Sequence, residues 1–505
     1  MVGRVCSNSI DNFNYQRLYG KSTHSYLGYL LLLSAIVSIL NIISIGSVRM
    51  SICIIAVEVL SLVFLIVIGK YTLFYSLFVV FSSLSIEIST FAGLEEHKSL
   101  TTVRFLGINV VAWILVFFII YSFIIKKKRN FKINKEFSRL FFAFLFIILL
   151  GVVIGLFNIL INDNEIRSID FLKHYIAIFY IMGFCPLLFI ISTFVCLSSE
   201  PSKSLVLKNA IIAVIFGSCV QGIFSYLNHY TISLGGLDDV GIAASNIYFY
   251  LPFGITLFFC EPVRNMKFKY PLLVVFVAGV AVFLINNANG KFIISLFISL
   301  IISIMLMNYK ERLIVLPLLI CFAFAAIIYA SQKTDIFSQY LLKQKIEEVR
   351  GLLNVFSPSW LSNMPASPRF RITEFMNTVV EYEKKPWYLL FGKGYAGSIR
   401  DHLHAFVKVG GEYSDDQWEI GSFFYLHESF NLLFLNNGIL GVLLWVNILV
   451  IFMKNYKKSF FIILGCAIFL ITYGYSFVLT LVGFTSLVVG AFDCCHKKQV
   501  TLGGI

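Results

Sequence analysis

Apolar residues in this chain do not alternate with polar ones or mark a single helical stripe. They run unbroken for lengths of roughly 17 to 25 residues, and they do so repeatedly from Tyr26 onward. An α-helix of that length crosses a bilayer with every backbone group bonded internally, whereas barrel strands would be shorter and alternating. The runs predict spans at 26–45, 51–69, 71–93, 105–125, 140–161, 175–197, 209–228, 245–260, 271–286, 292–308, 313–330 and 427–453. A last apolar stretch, 459–492, is too long for one helix, and its Tyr473-Gly474-Tyr475-Ser476 centre predicts a turn between two short spans. This makes about thirteen or fourteen transmembrane helices, an all-α polytopic membrane protein.

One segment interrupts the pattern. Residues 331–426 are polar, and within them an amphipathic run from Ser338 to Val355 is followed by turn signals at Pro358, Pro365 and Pro368. A helix is predicted from Ile372 to Glu383, stopping before Pro386. Trp360, Trp387 and Trp418 give the segment apolar surface to lay on a membrane face. The chain therefore divides into a polar tail (1–25), helical spans (26–330), a large polar loop (331–426), C-terminal spans (427–492) and a second tail (493–505). The first span follows a polar stretch without a small-residue cleavage site, so it reads as retained rather than as a cleaved signal. No repeat of 20 to 50 residues is visible.

Composition agrees with this picture: 58% of the residues are hydrophobic and 13% charged, against about 25% charged in soluble domains. The net charge of +13 sets orientation and does not signal nucleic-acid binding. Lys126, Lys127, Lys128, Arg129, Lys132, Lys135 and Arg139 mark one loop as cytoplasmic, and alternation through fourteen spans then puts both tails inside. On that topology 23 Lys and Arg lie in short inner pieces and 6 in short outer loops, as the positive-inside rule requires. The remaining 11 lie in the 331–426 loop beside 11 acids, and a loop of this length is exempt from the rule, so it is expected outside. That loop contains none of the ten cysteines, hence no disulfide, and Cys494-Cys495-His496 lacks the spacing of a zinc site.

Candidate chemistry collects where the polar loop meets the next span. Arg371 is followed by Phe375, Pro386 and a Gly392-Lys393-Gly394 turn, and His427 opens the run HESFNLLFLNNGILG that ends at Gly441. Upstream, Asn246 enters one span and Asn289-Gly290-Lys291 another. A cation near headgroup depth suits a phosphate, a guanidinium grips it with two parallel hydrogen bonds, and a neutral imidazole takes a proton near physiological pH.

In the order and spacing of these elements, residues 235–453 resemble the O-antigen polymerase and O-antigen ligase superfamily, bacterial membrane glycosyltransferases that use undecaprenyl-diphosphate-linked glycans. The resemblance implies a C-type glycosyltransferase-like fold in a bacterial inner membrane, with residues 331–426 as a partly helical periplasmic cap over a cavity open to lipid. It implies that Arg371, Lys291 and, second to Arg371, Arg369 bind the diphosphate, with Arg371 and Lys291 approaching one another. It implies that His427 accepts the proton of the attacking hydroxyl, that Glu428 beside it orients the imidazole or the acceptor sugar, and that Asn246, Gly392 and Gly394 contribute to the site. No metal or other cofactor is required, because the donor already carries an activated leaving group. The expected partners are the lipid-linked oligosaccharide, membrane lipid and a chain-length regulator protein; nucleic acid is not among them.

The chain also departs from the family. Glu428 stands where Asn commonly follows the histidine, Lys291 stands where Arg is usual, and the loop 229–241 has no Lys or Arg before Asn246. Glu428 inclines the reading toward a polymerase, with ligase as the alternative and a lipid-linked oligosaccharide flippase as the alternative from another class. Plainer roles stand beside each functional one: His427 as a cap, Arg371 paired with Glu374, Lys291 snorkelling from a helix end, Gly392 and Gly394 as a simple turn. Glu58 and Glu87 inside spans read as interhelical hydrogen-bond partners, and Asp238, Asp239, Asp415 and Asp416 as solvated turns.

Overall fold

The computed structural model describes residues 26–45, 47–86, 98–105, 108–125, 135–160, 169–198, 204–227, 251–257, 263, 269–286, 290–306, 364, 366–383, 385–395, 397–404, 406, 413, 415–424, 426–454, 459–473 and 477–502. Asn246, Glu87, Asp238, Asp239, the predicted span 313–330 and the amphipathic run 338–355 lie outside these residues. So do the side chains of Lys291 and of Cys494, Cys495 and His496.

Where apolar runs predicted spans, the chain is helical: α1 Tyr26–Ile43, α2 Val48–Val67, α3 Tyr71–Leu84, α4 Val110–Ile125, α5 Lys135–Leu160, α6 Ile169–Phe179, α7 Cys185–Ser198, α8 Ser204–Leu227, the short α9 Phe253–Leu257, α10 Lys269–Asn286 and α11 Gly290–Leu306. The polar loop contributes α12 Ala366–Glu383, α13 Trp387–Phe391 and α14 Asp415–Ile420, and the chain closes with α15 Ser429–Met453, α16 Phe460–Thr472 and α17 Phe477–Leu502. Six of the described helices are long and apolar enough to cross a membrane, and shorter apolar helices accompany them. The protein is an all-α, multi-pass membrane protein. Some boundaries differ from the hydropathy reading: helix α3 stops at Leu84, Arg104–Phe105 and Ile108–Asn109 pair as two short antiparallel strands ahead of α4, and α17 continues to Leu502 past the apolar stretch. Helix α16 ends at Thr472 and α17 begins at Phe477, on either side of the predicted turn, whose residues 474–476 lie outside the described ones.

Outward faces are apolar, as lipid demands: Val57, Leu60 and Phe64 of α2 are 67%, 69% and 61% exposed, one stripe at helical spacing. Between helices, where lipid removes the hydrophobic drive, small polar side chains tie the bundle. Thr193 donates to the Tyr75 hydroxyl (2.8 Å), which also meets Thr485 (3.2 Å), joining α7, α3 and α17.

Among the described residues two membrane helices are interrupted, and each interruption has a local cause. Between α6 and α7, residues Tyr180–Phe184 form a π-helical turn just before Pro186, whose ring lacks the N–H that would bond the Met182 carbonyl. The Tyr473 hydroxyl donates to that carbonyl instead (3.0 Å). In α15 the break falls at Gly438, with φ 61° and ψ −162°, a backbone region open essentially to glycine alone. A Cβ there would lie 2.6 Å from the main chain of Leu390 and Gly392. The broken helix frees carbonyls at 434–436, and the polar loop supplies their donors. Lys393 N–H bonds Leu435 O (2.8 Å), Gly394 N–H bonds Asn436 O (2.9 Å), and Tyr382 Oη bonds Phe434 O (2.6 Å) and Leu435 O (3.0 Å). The loop is thus clamped onto the membrane bundle.

Candidate active site

Helix α12 is turned inside out. Thr373, Glu374, Asn377, Thr378 and Glu381 recur at helical spacing and are at most 5% exposed, while Phe375 and Met376 on the other side are partly open. A polar stripe buried this completely must find partners: Thr373 and Thr378 bond carbonyls of α12 itself, and the others find theirs in residues 393–431. Glu374, fully buried, accepts from four groups: His427 Nδ1 (2.5 Å), the His427 N–H (3.2 Å), Tyr413 Oη (2.6 Å) and Asn431 Nδ2 (3.1 Å). Because a carboxylate only accepts, Nδ1 carries the hydrogen and the lone pair of the ring falls on Nε2. The edges and faces of Phe370 and Tyr413 pack against the imidazole, with ring centroids 5.5 and 5.2 Å away.

One turn earlier on α12, Arg371 forms a second rung. Its Nε lies 2.6 Å from Glu428 Oε1, with both side chains about one-third exposed, and its carbonyl accepts from Asn431 Nδ2 (2.8 Å). The expected partnership is therefore crossed over. Glu374, read from sequence as a partner for Arg371, holds His427, and Glu428, read as orienting the imidazole, pairs with Arg371. The reason is register: one helical turn separates 371 from 374, and it matches the adjacent pair 428 and 427 when the chain entering α15 lies alongside α12.

A third rung holds the C-terminal end of α12. Glu381 accepts from Lys393 Nζ (3.0 Å), His402 Nε2 (2.5 Å) and the Arg400 N–H (3.3 Å). Burial pushes this carboxyl up, but Lys393 and His402 beside it outweigh burial and hold it below its ordinary range. Lys393 also donates to Ser398 O (2.7 Å). The N–H groups of Gly392, Lys393 and Gly394 all bond protein carbonyls, so the Gly-Lys-Gly turn is a brace for the helix break and not a cradle for an anion. Gly394 is required there by contact as well: a Cβ would lie 2.0 Å from the Gly155 nitrogen of α5.

Of the other residues singled out from sequence, Arg369 is half-buried on α12 near Arg371, Lys291 lies in the first turn of α11, and Glu58 is 5% exposed within α2 with Oε1 lacking a hydrogen-bond partner. Asp415 is exposed on α14. Sequence reasoning missed the roles of Glu374, Asn377, Glu381, Lys393, His402, Tyr413 and Asn431. The signal for three of them, Glu374, Asn377 and Glu381, was their helical spacing with Thr378 between, which resembles a solvated helix face until the partners are seen. Comparison with protein-family models, curated proteins and solved structures returns no match, so the functional argument rests on the site itself.

Proposed function

We propose that the protein is a membrane glycosyltransferase that takes a glycan from a polyprenyl diphosphate and transfers it to a lipid-linked repeat unit, as an O-antigen or related surface-polysaccharide polymerase does. The observation that carries this reading is the double rung at the entry of α15. An imidazole whose tautomer is fixed by a buried carboxylate stands next in sequence to the partner of an interfacial arginine. The acceptor hydroxyl attacks the anomeric carbon, the bond from that carbon to the diphosphate oxygen breaks, and the polyprenyl diphosphate leaves. The hydroxyl proton passes to His427 Nε2, and Glu374 steadies the imidazolium that forms. Arg371 holds the charge of the leaving diphosphate, with Lys291 as the second cation of this reading. A direct displacement inverts the anomeric configuration.

Deletion of the gene followed by gel analysis of surface glycan tests the assignment. A polymerase leaves core capped with one repeat, a ligase leaves bare core, and a flippase leaves the lipid-linked unit on the inner leaflet. The protein purified in lipid, without added divalent metal, is expected to lengthen lipid-linked glycan with inversion, and His427→Ala to abolish this while inserting normally. Long polymer from His427→Ala, or a product with retained configuration, defeats the proposal.

A further inference from the structure

We infer that the two interrupted membrane helices meet to form a binding site for an alkali-metal cation, Na+ or K+, with Asn436 Oδ1, Asn437 Oδ1 and Tyr395 Oη as its side-chain ligands. The two interruptions touch. Asn436, just before the break in α15, sets its Nδ2 3.5 Å from the Sδ of Met182 in the π-helical turn, whose carbonyl takes the Tyr473 hydroxyl (3.0 Å). One turn of α5 gathers the rest. Asn437 Nδ2 donates to Ile147 O (2.8 Å), and Gly183 of the π-helical turn packs so closely that a Cβ on it would lie 3.3 Å from Ile148 Cγ2. The Tyr395 N–H bonds Gly151 O (3.0 Å), with its ring against that glycine.

Oxygens are what this junction leaves over. Asn436, Asn437 and Tyr395 are at most 1% exposed, and both amide nitrogens are taken, by Leu432 O (2.8 Å) and Ile147 O (2.8 Å). Asn436 Oδ1, Asn437 Oδ1 and Tyr395 Oη have no hydrogen-bond partner in the protein. Buried polar atoms of this kind are costly in a membrane interior unless something binds them. Several features favour a small monovalent ion. The first half of α15 ends at the break, about 12 Å along the helix, and a helix carries negative partial charge at its C-terminal end. Lys393, the only Lys or Arg between Trp387 and Tyr395, turns its ammonium to Glu381 (3.0 Å). All three ligand atoms are neutral oxygens, whereas Ca2+ and Mg2+ favour carboxylates and Zn2+ favours nitrogen and sulfur. Discontinuous membrane helices elsewhere present oxygens to ions in the same way.

The test uses the full-length protein in detergent, with its melting temperature measured in choline chloride, NaCl and KCl at equal ionic strength. An ion bound only by the folded state raises the folded-to-unfolded ratio about tenfold for each tenfold rise in its concentration above the midpoint. NaCl or KCl is therefore expected to raise the melting temperature, and choline chloride to leave it unchanged. Tyr395→Phe removes a ligand atom that bonds no protein group. It is expected to melt as the wild type does in choline chloride and to need about tenfold more cation for the same rise. Asn437→Ala also gives up the bond to Ile147, so it is expected to melt lower in every salt and to lose the cation response. Equal melting of the wild type in all three salts overturns the inference; the junction then holds water only. A cation response that Tyr395→Phe leaves intact overturns it too, because the ion then binds elsewhere.

Discussion

Replacing Glu374 with Gln leaves the size of the side chain unchanged and removes the charge that His427 leans on. The four donors converging on this carboxylate leave the new amide NH2 two placements. At Oε2 it faces only donors, Asn431 Nδ2 and the His427 N–H. At Oε1 it is satisfied only if Tyr413 Oη turns its hydrogen away or the imidazole moves its proton from Nδ1 to Nε2, the wrong tautomer for a base. A hydrogen bond to a charged group contributes about 1.5–3 kcal/mol, and the one to Nδ1 strengthens as the imidazole becomes cationic during transfer. The expected result is a rate lower by roughly 10- to 150-fold, with a loss of folded stability of about 1–3 kcal/mol from the donor left facing a donor. Tyr413→Phe removes one of the four donors and keeps the ring, so its effect lies in the same direction and is smaller. The assay is the initial rate of glycan lengthening by purified protein in nanodiscs, with monodispersity and melting temperature as controls for folding. Because Arg371 is untouched, KM for the lipid-linked donor should stay within about twofold while kcat falls. A folded Glu374→Gln protein working at the wild-type rate, or one whose loss lies wholly in KM, refutes the assignment of Glu374 as the group that positions and steadies His427.

Arg371→Lys keeps the charge but loses the fork, and a rise in donor KM of about tenfold is expected, with a larger rise for Arg371→Ala; unchanged KM in both removes the guanidinium from donor binding. Glu381 has its carboxyl held below the ordinary carboxylate range in the folded protein by Lys393 and His402, so its stabilising contribution is present above the unfolded value and is lost as pH falls through the folded value. Melting temperatures measured in detergent from pH 7 downward should therefore show a gap between wild type and Glu381→Gln that closes with acidification; a gap independent of pH contradicts the network. Gly438→Ala forces a Cβ to 2.6 Å from the main chain of Leu390 and Gly392 at a positive φ, and a destabilisation of at least about 3 kcal/mol is expected, visible as loss of monodisperse protein. Normal yield and melting would show that the loop is not clamped at this break.

The spans and the class were legible because membrane insertion is decided locally. A run of apolar residues long enough to cross lipid reads the same whatever it packs against, and α1, α2, α5, α8 and α15 lie where such runs predicted them. Proline and glycine punctuation was legible for the same reason, at the break between α16 and α17 and at the end of α12 before Pro386. The candidate site was legible only in outline: Arg371 and His427 stood out as polar groups near the start of an apolar run, but their partners did not.

Hydropathy, charge bias and the His427–Gly441 run determined that this is an all-α, multi-pass membrane protein with a polar loop ahead of a late span, since each depends on residues close in sequence. Tertiary structure alone decided that Glu374 serves His427 and Glu428 serves Arg371, that Lys393 neutralises Glu381, and that the Gly-Lys-Gly turn closes the break at Gly438. These pairings join residues 12 to 57 positions apart, and they follow from the rotation of α12, whose polar stripe could face water or the protein interior with equal local propensity. Its burial is settled by the donors that residues 393–431 bring to it, because a carboxylate leaves water only where enough hydrogen bonds replace those it gives up.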